Sequence, residues 1–270
     1  MSDWNTPLTL TAVTAGSTVQ LTKVGSPTVS GLQYRTDSSA AWSSYTIDDV
    51  ITLENVGDYV QFQNTESTLS SGSSSYVQFV LSGSLEGSGN VQALLNYSDS
   101  CKGYCYYRLF FQATSLISSP DLLSVILASS CYSSMFYGSG ITKAPYLPAT
   151  TLINSCYAYM FQNCSSLTSA LLGATELSTN ACLNMFVNCV SLSSIGVSFT
   201  SWLDGATTNW LSGVSSTGNF YKPASLPETR GASNIPANWT LKSEYKPLTL
   251  TANTAGSTVQ LIAIGSPTVS

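Results

Sequence analysis

The sequence has no histidine, and only 9% of its 270 residues are Asp, Glu, Lys or Arg. Ordinary soluble domains carry roughly a quarter charged residues. Without imidazole there is no Ser-His-Asp or Cys-His nucleophile and no ordinary general base near neutral pH. Nine basic residues against fourteen acidic ones give a net charge of −5, with no basic run. Phosphate binding needs clustered Lys and Arg, so nucleic acid is not an expected partner. No apolar run reaches the ~18–20 residues that span a membrane. Met1 to Pro7 has neither the basic n-region nor the apolar h-region of a signal peptide. No Gly-rich phosphate loop follows a strand pattern. The cysteines recur at wide spacing rather than in CxxC pairs, so neither a metal site nor a cofactor is expected. Asp48, Asp49 and Asp99 have no evident partner and read as solvated surface. An enzyme is therefore not expected.

Ser, Thr, Gly, Asn and Tyr take the place of the missing charge. An uncharged polar surface of that kind suits an extracellular, cell-surface or virion location. Within this background lies a degenerate repeat. Its copies open Cys105-Tyr-Tyr-Arg-Leu-Phe110, Cys131-Tyr-Ser-Ser-Met-Phe136, Cys156-Tyr-Ala-Tyr-Met-Phe161 and Cys182-Leu-Asn-Met-Phe186. The phenylalanines are 26, 25 and 25 residues apart. An aliphatic residue follows in each copy: Leu116, Ile141, Leu167 and Leu192. A single unit of this size cannot bury its own apolar face, so the copies must stack as a solenoid. In the third copy Cys156, Met160, Cys164 and Leu167 fall at offsets that share one helical face, which predicts a short helix. An extended segment follows near Thr168–Leu171.

Seven cysteines is an odd number. Cys105, Cys131, Cys156 and Cys182 read as one column of the repeat, Cys164 and Cys189 as a second. Neighbouring elements ~8–10 Å apart are poorly placed for a bridge, so these are expected to be free, buried thiols. Tyr106, Tyr132 and Tyr157 form a further column, with Leu183 in the fourth copy. They are the candidate ligand-binding residues, as an aromatic ladder; the competing reading is packing between repeats.

Before the repeat, residues 1–86 contain short runs of period-two alternation. These are Leu8–Ala12, Thr18–Val24, Leu32–Tyr34, Val50–Leu53, Tyr59–Phe62 and Tyr76–Val80, separated by Gly, Ser, Asp and Pro. They predict an immunoglobulin-like β-sandwich. Residues 87–198 are then the solenoid, with 90–100 as its N-terminal cap. Trp202, Trp210, Phe220, Tyr221 and Trp239 make 199–242 an irregular aromatic C-terminal cap. Residues 243–270 open a second copy of the β-domain: 20 of 24 positions match between 7–30 and 247–270. Residues 247–264 are expected to support self-association through strand pairing. The predicted class is mostly β with short helices.

The segments Cys156–Ala170 and Leu147–Leu152 resemble the BspA-like leucine-rich repeats of gut bacterial surface proteins. Leu32–Arg35, Trp42–Tyr45 and Ile51–Phe62 are similar to the β-domain that often precedes such repeats. The resemblance implies a non-catalytic adhesion module that binds a host or bacterial surface protein or glycan. The alternative is a bacteriophage fibre or head-decoration protein that recognises a surface glycan.

Overall fold

The computed structural model describes residues 5–243. Strands β1 (Leu8–Ala12), β2 (Ser17–Val24), β3 (Leu32–Thr36) and β4 (Ser43–Ser44) lead into β5 (Val50–Leu53) and β6 (Tyr59–Asn64). Strands β7 (Tyr76–Ser82) and β8 (Leu85–Ser88) complete the first region. All six alternating runs of the sequence are strands. Their period-two burial is plain in β6, where Val60, Phe62 and Asn64 are buried and Tyr59, Gln61 and Gln63 are not. One sheet has the order β4-β3-β6-β1-β8, the other β5-β2-β7. They share a core in which Phe62 of the first sheet meets Phe79 of the second edge to face, ring centres 5.3 Å apart.

The first sheet does not stop at β8. Strand β9 (Leu116–Ser118), from the first repeat, adds to it in parallel. Phe79 donates its backbone N–H to Leu109 O at 2.8 Å, and its ring stacks on Phe110 at 5.1 Å. The β-region therefore closes the N-terminal end of the stack. The segment expected as a cap adds a short 3-10 helix, Val91–Leu95, wholly buried and capped by the Asn90 side chain.

The repeats form a solenoid whose sheet consists of β10 (Ser169–Leu172), β11 (Ser194–Val197), β12 (Asn219–Lys222) and β13 (Thr240–Ser243), all parallel and in register. The extended segment predicted near Thr168–Leu171 is β10. The predicted helix is absent. Among the described residues the only helix is Val91–Leu95. Where a helix was expected, the chain makes overlapping β-turns. In the third coil Cys156, Ala158, Met160, Gln162 and Cys164 each donate to the carbonyl three residues back. The intervening Tyr157, Tyr159, Phe161 and Asn163 donate instead to Ala181, Leu183, Met185 and Val187 of the next coil. Every backbone N–H along this stretch is thus satisfied, half of them locally and half between coils.

The chain accomplishes this by placing every fourth residue in the left-handed region. Asn180, Asn184 and Asn188 have φ of 57°, 51° and 60°. The equivalent places in the next coil are Gly205, Asn209 and Gly213. Asn and Gly tolerate that conformation, and it is what the third position of a type II turn requires. In the first and fourth coils the resulting burial pattern is two residues in and two out, a period of four, while Ser133, Ser134 and Ala158 are buried as well in the coils between. Offsets of four mimic a helix face over a short window, which is why the sequence reads as helical.

The register also corrects one column. Tyr106, Tyr132, Tyr157 and Cys182 are equivalent, because their N–H groups donate to Cys131, Cys156, Ala181 and Ala206 respectively. Cys182 therefore continues the tyrosine column, and Ala181, not Cys182, continues Cys105, Cys131 and Cys156. The geometry of the coil also does not end at Ser198. Residues 199–242, expected as an irregular cap, supply another turn segment and two more strands of the parallel sheet. Trp210, Phe220 and Trp239 of this segment are core, and the Trp210 indole N–H donates to Asn234 O at 2.9 Å. The segment 247–264, expected to self-associate, lies outside the described residues.

Candidate functional site

The tyrosine column points inward. Tyr106, Tyr132 and Tyr157 are at most 1% exposed. Their rings stack, with centres 5.3 Å and then 6.0 Å apart. The Tyr106 hydroxyl donates to Val91 O at 3.1 Å. Burial pushes all three hydroxyls well above their ordinary pKa. The structure places these residues between coils as packing.

All seven cysteines are buried and unpaired. Burial raises the Cys156 thiol to about 12 and the Cys164 thiol to about 11. Both are therefore protonated, and neither is a nucleophile near neutral pH. The Cys164 thiol donates to Phe136 O at 2.9 Å, and Cys189 repeats the contact on Phe161 O. The second cysteine column thus ties adjacent coils together. Cys101 is held low, first by hydrogen bonding from Cys105 and then from Cys131, but it too is buried. No group of three His, Cys, Asp or Glu side chains among the described residues is arranged to hold a metal ion.

The outer face of the parallel sheet is different. Along β10, β11 and β12, buried Ala170, Leu172, Ile195, Val197 and Phe220 alternate with residues on the other face. Those outward residues form two lines across the strands. One line runs Ser169–Ser194–Asn219, with Lys143 paired beside Ser169. The other runs Leu171–Gly196–Tyr221, with Tyr146 one place before the Leu147–Leu172 pair.

A cleft of about 290 Å³ opens here, lined by Lys143, Tyr146, Ser169, Leu171, Ser194 and Tyr221 with the backbone of Gly196. Its volume is at the lower end of ordinary ligand sites, roughly 300–1,000 Å³. Tyr146 is 54% exposed. Three strand steps of roughly 4.8 Å put the Tyr146 and Tyr221 backbones about 14 Å apart. Gly196 lies between them, and its φ is not positive, so no turn demands glycine there. Glycine inside a strand weakens it, and often marks a place where a ligand or another chain comes close. A second glycine, Gly173, makes room for the Tyr146 hydroxyl: a Cβ there would lie 2.9 Å from that oxygen.

No family model, no curated protein and no solved structure matches this chain.

The cleft therefore rests on its own geometry. Its walls and floor are drawn from four successive coils, about 25 residues apart in sequence, and all of them lie outside the column of Tyr106, Tyr132 and Tyr157. By sequence Tyr221 groups with the cap aromatics, and Tyr146 immediately precedes the Leu147–Leu152 segment. The signal in the sequence is Gly196, a lone glycine between the β-branched Ile195 and Val197. No helix of the described residues is long and apolar enough to cross a membrane.

Proposed function

We propose that this chain is a non-catalytic binding and adhesion module, displayed at a bacterial cell surface, that holds a glycan in the cleft between Tyr146 and Tyr221. The β-region is read as an immunoglobulin-like sandwich and the coils as leucine-rich repeats of the BspA-like kind. The observation that carries the binding reading is the pair of tyrosine walls over a floor of Gly196. Sugars present apolar C–H faces and a rim of hydroxyls. Tyrosine rings meet the first, while seryl hydroxyls meet the second. The non-catalytic reading is supported by the absence of histidine and by thiols that burial keeps protonated.

Gly196→Val tests this reading. Valine favours strand geometry, but Gly196 is buried, so the melting temperature of Gly196→Val is measured beside that of the parent before binding is compared. The valine side chain would fill the cleft floor. On a glycan array that displays bacterial and mucosal saccharides, the parent should bind a defined set and Gly196→Val should bind none of it. Tyr146→Ala should weaken the same binding roughly tenfold, about 1.4 kcal/mol. A Gly196→Val variant that folds and keeps the parent's array profile would show that the site lies elsewhere.

A further inference from the structure

The chain as a whole carries fourteen acidic residues against nine basic ones, yet the cleft lining contains a lysine and no carboxylate. Lys143 is exposed, and its ammonium has no hydrogen-bond or ion-pair partner among the described residues. The hydroxyls of Ser169 and Ser194 likewise make no side-chain hydrogen bond there. Elsewhere on the solenoid, several polar groups are partnered across coils: Thr168 donates to Thr142 O, Asn188 to Asn163, and Thr151 to Glu176. Polar side chains left without protein partners at a concave site are free to meet a ligand.

The register aligns these three groups. Lys143 pairs with Ser169, and Ser169 with Ser194, so these three residues lie in one line across adjacent strands. The line of Tyr146, Leu171, Gly196 and Tyr221 runs alongside, two residues further along β10, β11 and β12 and three further from Lys143 to Tyr146. At roughly 3.3 Å per residue the two lines are about 6.6 Å apart. One sugar unit can span that gap, its ring against the tyrosine line and an anionic substituent at its edge against the lysine line. An ammonium is a point charge with three donors, and flanking hydroxyls supply the remaining hydrogen bonds of a carboxylate or sulfate.

We infer that the cleft selects an anionic saccharide, its acidic group held by Lys143 with Ser169 and Ser194. This rests on the reading of the cleft as a glycan site and adds the charge class of the ligand. Because Lys143 is exposed, its attraction is screened by salt, with a Debye length of about 8 Å at physiological ionic strength. Binding therefore weakens as salt rises, and it does so through Lys143.

The test uses the full chain on an array of matched saccharides: neutral hexose oligomers, the corresponding uronates, sialylated glycans and sulfated glycans. Three variants accompany the parent: Lys143→Gln, the double variant Ser169→Ala/Ser194→Ala, and Gly196→Val. The expected result is preferential capture of acidic saccharides. Lys143→Gln should lose at least tenfold in affinity for them, together with the salt dependence. The serine double variant should lose several-fold, and Gly196→Val should bind nothing. The uronate and sulfate arms distinguish which acidic group is held. Neutral saccharides bound equally well, blocked by Gly196→Val and indifferent to Lys143→Gln, would overturn the charge inference and leave the glycan site standing. Capture of no saccharide, or capture untouched by Gly196→Val, would overturn both.

Discussion

Phe161 sits at the middle of a stack of aromatic rings. Its ring is 5.6 Å from Phe136 and 5.4 Å from Phe186, within 7° of parallel to each. The side chain is fully buried. Flanking rings belong to neighbouring coils that hydrogen bonds hold at fixed spacing, so the site has little freedom to collapse around a cavity. Phe161→Ala should accordingly cost roughly 3–5 kcal/mol, measured by chemical denaturation. A loss below about 1 kcal/mol would mean that the stack contributes little to stability. The cysteines act at the same scale. Cys164 and Cys189 fill space and donate to a carbonyl of the preceding coil. They do the work of a small hydrophobe with a weak donor.

The element that distinguishes this fold is the ribbon of turns. Its left-handed column includes residues that bear strain for the position, among them Ser130 and Ser134, both at φ 56°. An L-residue costs roughly 1–2 kcal/mol in that region, and glycine does not. Ser134→Gly should therefore raise stability by up to about 1 kcal/mol, less the entropy that glycine gains in the unfolded chain. The converse applies at Gly205, φ 76°, where a Cβ would meet nothing closer than 3.9 Å. Space is not the obstacle there, so a loss of about 1 kcal/mol for Gly205→Ala would be backbone strain alone. Melting temperatures of the two variants should move in opposite directions. If both fall, the column is set by side-chain contacts rather than by φ.

At the scale of the whole molecule, β-region and solenoid are one structure. Phe79 stacks on Phe110, and β8 pairs with β9. Heating should therefore give a single transition. Alkali should destabilise it in a defined window. Burial raises the thiols of Cys156 and Cys164 from an ordinary 9.0 to about 12 and about 11. The native state thus keeps protons that the unfolded chain releases first. The stability this confers is complete below pH ~9, where both states hold the proton, and is lost as pH rises through the folded values. The buried tyrosines act in the same direction. A melting temperature that is flat to pH ~9 and falls above it is the expected outcome. A profile unchanged at pH ~11 would contradict the burial of these groups.

Much was already determined by the sequence alone. Period-two alternation placed the strands of the β-region, because a half-buried strand has no other way to bury one face. A 25-residue recurrence of Phe and Cys implied stacked coils with buried columns, since equivalent residues of a solenoid meet their own kind. Turns in place of helices were legible in part. The series Asn180, Asn184, Asn188 is a poor helix and a good column of left-handed turn positions. Offsets of four hid it, because over eight residues a helical face drifts by only ~80° from such a period. Only the tertiary structure decided the rest. It aligned Cys182 with the tyrosines, since register follows the inter-coil hydrogen bonds and not the nearest similar residue. It also assembled the cleft, because Lys143, Ser169, Ser194 and Tyr221 become neighbours through strand pairing between coils, and no local pattern in the chain encodes that meeting.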